Sequence, residues 1–352
     1  MIAIGMDTHK ELSYVYASAS DPSDVDDVIF AEEFNTEFRR PVTSDAKGLG
    51  QISSYLEGRE HCILIENSSK AHDVFWTLTD LGCTVLVANA SDLYRINMSV
   101  KKTDAHDALE LAAYMRRRIN GENEFSTCLM VDSKWMNRRQ MCRLYSLESQ
   151  ELSDCRRRLR SFMLLRGTVL EGFPKDISNE SSLKRLEECA DKSSRLLITR
   201  SRQCRERVKG NLASIVEEFD DEPMYQLLKS IPGFGPVTSA YFSSLIIDIN
   251  RFPNANSFAS YFGIVPKKRD SADSSPNLGI TRRGDDVARK MLFMSTMVHV
   301  SKDKDRLSAI SRQYDRFCSR MPKKKALTAT ANKMARTMYA ILKSGEPYED
   351  RY

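Results

Sequence analysis

The feature that most constrains the fold is a change of apolar period near residue 135. Up to about residue 120, short apolar runs alternate with helical stretches. From about 135 to 222, apolar residues recur at helical spacing, Pro and Gly become rare, and Lys and Arg become dense. The clearest series runs Leu183, Leu186, Ala190, Ser194, Leu197, Ser201, Cys204, Val208, Leu212, Ile215, Phe219, in alternating steps of three and four. That is a heptad-like seam. A weaker series runs Met141, Leu144, Glu148, Leu152, Cys155, Leu159, Phe162, and Gly172-Phe-Pro174 separates the two. The simplest account is two long helices packed as a hairpin or coiled coil.

The first part reads differently. Ile2-Ala-Ile-Gly-Met6 ends at Asp7, and Tyr14–Ala17 and Val28–Ala31 follow at strand-like spacing, which predicts a three-strand meander. A helical stretch near 44–57, the run Cys62–Ile65 ending at Glu66, a helix near 71–81, the run Thr84–Ala88 and a helix from Asp104 to Arg118 complete the pattern. Strands alternating with helices predict an α/β domain with a mixed sheet. The expected organisation is an α/β unit over 1–125, a helical coiled-coil unit over 126–222, and a mainly α-helical unit over 223–352.

Charge follows the same division. Residues 1–110 hold 9 Lys/Arg against 19 Asp/Glu, and residues 111–352 hold 44 against 29, so a formal total of +5 conceals −10 beside +15. Most of the basic excess lies in 265–345, with 19 Lys/Arg against 7 Asp/Glu. An acidic third joined to a basic remainder points to nucleic acid as partner. No apolar run approaches bilayer length, and the N-terminus lacks a basic start with a long apolar stretch, so a cytoplasmic location without membrane contact is expected. Eight cysteines without a CxxC pair or histidines at ligand spacing predict reduced, mostly buried thiols.

Three constellations carry chemistry. Asp7 and Glu66 end strands, and Asp104 and Asp107 stand three apart at a helix start. Four carboxylates meeting at a sheet edge would repel one another without a divalent cation, and Mg²⁺ is the natural occupant. Taken alone, an Asp after a strand is a turn former and Asp104 is a helix N-cap. His9 and His106 stand beside these residues, as aids to proton transfer or as hydrogen-bonded structural groups. The second constellation, Ile231-Pro-Gly233-Phe-Gly235, is a tight turn before a helix, resembling a helix-hairpin-helix and suited to gripping phosphate through backbone N–H groups. The third is Pro266–Ser275 with Lys267, Lys268 and Arg269, followed by Arg282 and Arg283. By composition it is a surface loop, whereas a serine among those cations would suit attack on phosphorus. Lys323, Lys324 and Lys325 form a charge run that is either a solvated face or a phosphate contact. The Met291–Met297 run is expected in a helix core, and Trp76 and Trp135 in packing.

With these residues in hand, the chain resembles the bridge-RNA-guided insertion-sequence transposases, related to the Piv DNA invertase. That family joins an N-terminal RuvC-like DEDD domain to a C-terminal transposase domain. The resemblance rests on Gly5-Met-Asp7, Ile65-Glu66, Lys102-Thr-Asp104-Ala-His-Asp107-Ala, Ser230–Gly235, Phe258–Pro266, Ile280–Gly284 and Leu342–Gly345. Glu66 is followed by Asn67-Ser-Ser where the family commonly has Ala-Thr-Gly. The resemblance implies catalytic and Mg²⁺-binding roles for Asp7, Glu66, Asp104 and Asp107, and a nucleophilic serine at Ser271, with Ser274 and Ser275 as neighbours. It implies DNA recombination through a phosphoserine intermediate, on target and donor DNA, guided by a structured noncoding bridge RNA. It also implies a homo-oligomer, dimer to tetramer. The alternatives are a Mg²⁺-dependent RuvC-like endonuclease with a water nucleophile, a site-specific invertase of the same family, and a nucleic-acid-binding module with a degenerate catalytic domain.

Overall fold

The computed structural model describes residues 1–89, 93, 103–122, 125–165, 177, 179–266, 279–281 and 284–350. The chain divides into two compact units, Met1–Val131 and Asp132–Tyr352.

The first unit holds a five-stranded sheet: β1 (Ile2–Thr8), β2 (Leu12–Ala19), β3 (Val42–Thr43), β4 (His61–Glu66) and β5 (Val85–Ala88), in the order β3-β2-β1-β4-β5. β2 is antiparallel to β1 and β3, whereas β4 runs parallel to β1 and to β5. Its helices are α1 (Val25–Glu37), α2 (Ala46–Tyr55), α3 (Ala71–Asp80) and α4 (Asp104–Ile119). Strand period two sorts the side chains. Ile2, Ile4 and Met6 of β1 and Ile63 and Ile65 of β4 join a core with Phe34 of α1, Leu49 and Ile52 of α2, and Val74 and Leu78 of α3. Ala3, Cys62 and Leu64 face the other way and pack with Leu111, Tyr114 and Met115 of α4. Three helices therefore cover one face of the sheet and α4 covers the other.

The expected meander is corrected at its third member. Val28–Ala31 lies inside α1, whose inward positions Asp27, Ala31 and Phe34 follow helical spacing, and only the short β3 completes that edge. Asp24 caps the helix by accepting from the N–H of Asp27. Asn35 bonds both N–H and carbonyl of Ala17, tying α1 to β2.

The second unit is helical: α5 (Ser133–Leu165), α6 (Glu180–Cys189), α7 (Lys192–Phe219), α8 (Pro223–Lys229), α9 (Pro236–Ile246), α10 (Ala255–Tyr261), α11 (Asp286–Lys302), α12 (Ala309–Cys318) and α13 (Lys323–Ser344). The two long helices α5 and α7 pack on each other, burying Leu152, Cys155 and Cys204 between them. The second seam is not one continuous helix: Ala190 is extended, and Asp191 caps α7 through the N–H of Ser194. Ser194 and Ser201 are buried along the seam, whereas Leu144 and Phe162 of the weaker series are exposed. Cys142, Ile215 and Phe219 of the long helices share one core with Tyr225, Tyr241, Phe258 and Met334. Arg138, 7% exposed, spans this junction: it pairs with Glu218 and Glu222, donates to the Glu218 carbonyl and stacks over Trp135 and Phe219.

In α11, Leu292 is buried but Met294 and Met297 are exposed, which narrows the expected methionine core. All eight thiols are free; Cys62, Cys83, Cys142, Cys155 and Cys204 are buried and Cys189 is exposed. Among the described residues, no helix is long and apolar enough to cross a membrane.

Candidate catalytic carboxylates and phosphate-binding turn

Of the four expected carboxylates, Asp7 and Asp104 come within ligand distance of each other, because two backbones touch. A Cβ on Gly5 would lie 2.1 Å from the Ala108 carbonyl oxygen and 2.2 Å from the Ala112 nitrogen. Only glycine lets α4 lie directly on β1, and that contact puts the first turn of α4 at the C-terminal end of the strand. Asp7 falls on the same face of β1 as Ala3 and Gly5. β4 pairs in parallel with β1, Met6 opposite Ile65, so Glu66 is at the same level one strand away and on the same face by strand period. The side-chain contact between Thr8 and Ser68, 3.0 Å, ties the two strand ends together.

Asp104 is not the N-cap. Thr103 takes that role, accepting from the N–H of His106, and Asp104 and Asp107 occupy the first helical turn. There the helix dipole favours negative charge and Asp104 keeps its carboxylate for other partners. Asp7, His9 and Asp104 converge, with donor atoms all within 4.8 Å of one another. His9 Nε2 is 3.2 Å from Asp7 Oδ2 and 3.4 Å from Asp104 Oδ1. Asp107 Oδ1 is buried without a hydrogen-bond partner. The Asp7 carboxyl is raised above the ordinary carboxylate range, chiefly by burial; His9 opposes the shift, and Asp104 and Asp107 reinforce it. Like charges held together with a buried orphan oxygen are the donor set a hard divalent cation satisfies. His106 does not join them; its ring is 3.9 Å from Glu110.

In the second unit Ile231–Gly235 is a turn between α8 and α9. Gly233 has φ +99°, and a Cβ there would lie 2.5 Å from the Ser295 carbonyl oxygen, so α11 presses on the turn. Gly235 begins α9 without a side-chain cap, and Pro236 follows at the first helical position. The turn is held by His299, a residue with no distinguishing sequence signal. Its Nδ1 donates to the Pro232 carbonyl at 2.8 Å, and its Nε2 is hydrogen-bonded to Ser308 Oγ at 2.8 Å. Both residues are buried. Ser230 Oγ accepts from the N–H of Tyr348 at 2.8 Å, which brings the C-terminal tail onto the same turn.

Lys323, Lys324 and Lys325 are exposed and occupy the first turn of α13, which carries no acidic residue. Three cations there oppose the helix dipole. Lys267, Lys268, Arg269, Ser271, Ser274, Ser275, Arg282, Arg283 and Lys102 lie outside the described residues. The flanks of the serine segment are described: Pro266 and Ile280 form an antiparallel bridge, and the Thr281 N–H donates to the Val265 carbonyl.

Residues 225–312, which include this turn, match the family described as Transposase IS116/IS110/IS902. The segment carries the sequence signature of that family. The chain is 28% identical over 123 residues to a transposase of insertion sequence element IS1111A from Coxiella burnetii, covering 35% of this chain and 34% of that protein. It is 25% identical over 126 residues to the IS1328 transposase of Yersinia enterocolitica, 36% of this chain and 37% of the relative. An uncharacterized protein of insertion element IS116 from Streptomyces clavuligerus is 32% identical over 90 residues, 26% of this chain and 23% of the relative. The chain thus matches about a third or less of the length of these curated relatives.

Proposed function

We propose that the chain is an insertion-sequence transposase that breaks and rejoins DNA strands through a phosphoserine intermediate. The observation that carries this reading is the meeting of Asp7 and Asp104, from elements almost a hundred residues apart, in a chain whose 225–312 segment matches a transposase family. The strand order β3-β2-β1-β4-β5, with two antiparallel pairs at the β3 end and two parallel pairs at the β5 end, supports a RuvC-like reading of the first unit. Asp7, Glu66, Asp104 and Asp107 would hold Mg²⁺. A cation bound there supplies Lewis acidity toward a phosphate oxygen.

The chain's own residues do the rest. Ser271 Oγ attacks phosphorus, the bond to the 3′ oxygen breaks, and the serine proton passes to that oxygen. Bond energy is kept in the phosphoserine ester until another strand's 3′-hydroxyl displaces it. The Gly233–Gly235 turn, Lys267, Lys268, Arg269, Arg282, Arg283 and Lys323–Lys325 would contact phosphates without reading sequence. The long helices would bind a structured guide RNA and join protomers into a dimer or tetramer. The three lysines set against the dipole of α13 support the phosphate contact at Lys323–Lys325, because a bound phosphate relieves their mutual repulsion.

Trapping decides the mechanism. With labelled DNA, guide RNA and Mg²⁺, Ser271→Ala should abolish a covalent protein–DNA adduct and Asp104→Ala should abolish all cleavage. Cleavage that persists without an adduct in Ser271→Ala means a water nucleophile and overturns the phosphoserine step.

A further inference from the structure

The four-carboxylate reading leaves out the histidine that stands closest to the acids. β1 ends at Thr8, and Asp7 and His9 are two residues apart where the chain leaves the strand, so both side chains emerge toward the same side. The His9 N–H donates to the Leu12 carbonyl at 3.0 Å, which fixes the backbone of the turn and with it the direction of the ring. Asp104 arrives from the first turn of α4, placed by the contact of α4 with Gly5. Two rigid elements thus deliver one imidazole nitrogen and two carboxylate oxygens to a single point.

The spacing of these atoms is that of ligands around one ion. Donors about 2.0–2.1 Å from a metal lie roughly 3.3 Å apart when tetrahedral and roughly 2.9 Å apart when octahedral. His9 Nε2 lies 3.2 and 3.4 Å from its two carboxylate neighbours. Its side chain is 50% exposed and that of Asp104 is 48% exposed, so the point is open on one side to water or a substrate oxygen. Asp107, three residues further along α4, has a buried oxygen without a hydrogen-bond partner.

Resting on the metal-site reading above, we propose that His9 is a direct ligand of the divalent cation through Nε2, alongside Asp7 and Asp104. The site is then a mixed nitrogen and oxygen site. Imidazole is a poor donor for Mg²⁺ and a good one for first-row transition metals, so His9 tilts the preference of the site away from Mg²⁺ and toward those ions. A plain ion pair between a protonated imidazole and the carboxylates would leave the nitrogen off the metal.

Mn²⁺ is paramagnetic and reports its ligands directly. Pulsed electron paramagnetic resonance of the full chain loaded with Mn²⁺ should show nitrogen modulation from one imidazole. His9→Ala and His9→Gln should lose it, whereas His106→Ala should keep it. In titrations of the metal alone, His9→Ala should weaken Mn²⁺ at least about tenfold and Mg²⁺ less than about twofold, since loss of even an outer-shell partner of a ligand costs roughly 10- to 100-fold. Bound Mn²⁺ without nitrogen modulation in the unaltered chain overturns the role of His9. So does equal weakening of both ions. If modulation is absent but Asp7→Asn and Asp104→Asn still abolish Mn²⁺ binding, the carboxylate site stands and only His9 falls. A chain that binds no Mn²⁺ overturns both.

Discussion

Gly5 and Gly233, two of the close glycine contacts in the molecule, solve the same packing problem with different side chains around them. At Gly5 the backbone of α4 lies on β1, and at Gly233 the backbone of α11 presses on the turn before α9. The first contact gathers Asp7, Asp104 and Asp107, and the Asp7 carboxyl is raised by burial and then by its two acidic neighbours. The second is closed by hydrogen bonds between His299 and both the Pro232 carbonyl and Ser308 Oγ. Close backbone approach is therefore only the scaffold; the side chains it collects decide whether the place is complete or calls for a ligand. The carboxylate site calls for one, and the core of the turn does not.

The largest expected effect is on chemistry. Asp104→Ala should lower strand cleavage by at least about 10³-fold, several kcal/mol of lost Lewis-acid stabilisation, with little change in unfolding temperature because the residue is half exposed. A drop in cleavage matched by a large drop in unfolding temperature would mean the residue is structural. Arg138→Ala should cost about 1–3 kcal/mol in chemical denaturation, because it removes the donor to the Glu218 carbonyl and the guanidinium packed over Trp135 and Phe219. An unchanged midpoint would remove the buried clamp from the account.

Next come the glycines themselves. Gly5→Ala should destabilise by about 1–3 kcal/mol or more and weaken metal binding, because α4 must move. Gly233→Ala should destabilise to a similar degree through its positive φ and the Ser295 contact, yet leave metal affinity unchanged. Equal effects of both variants on metal binding would erase the distinction between the two places. His299→Ala should cost about 1–3 kcal/mol by removing the donor to the Pro232 carbonyl and leaving a void in the buried network, where Ser308 Oγ keeps Ser311. The smallest effect is on thiol reactivity. Burial pushes Cys62 up to about 11 and Cys142 up to about 12, so both should stay unlabelled by iodoacetamide at pH 8 while exposed Cys189 reacts. Because both pKa values are raised, moving from pH 8 to pH 9 leaves both thiols protonated and should not speed their labelling in the folded chain.

Much of the first unit was legible because strand period two and the positions of Asp7 and Glu66 at strand ends are local signals. Val28–Ala31 misled because a short β-branched apolar run reads as strand; the Asp24 cap and the inward spacing of Asp27, Ala31 and Phe34 make it helix. The break at Ala190 was hidden because the seam keeps its steps of three and four through it, and only the Asp191 cap reveals a new helix. Asp104 could be placed at the helix start but not excluded as a cap, since Thr103 competes for that role. His9 was visible as a neighbour of Asp7, but its place between two carboxylates depends on α4, nearly a hundred residues away. His299 left no mark, because one histidine on a helix face looks the same whether it holds a turn or fills a core.

Hydrogen exchange read by mass spectrometry tests most directly whether the cation belongs to the first unit. Divalent cation at about 100 times its dissociation constant stabilises whatever it binds by about 2.7 kcal/mol, close to a 100-fold slowing of exchange. That slowing is expected in peptides covering Ile2–Thr8 and Asp104–Leu111, with Ser133–Leu165 and Lys192–Phe219 unchanged. Uniform slowing of both units, or none in β1 and α4 while DNA cleavage still requires the cation, would contradict the assignment.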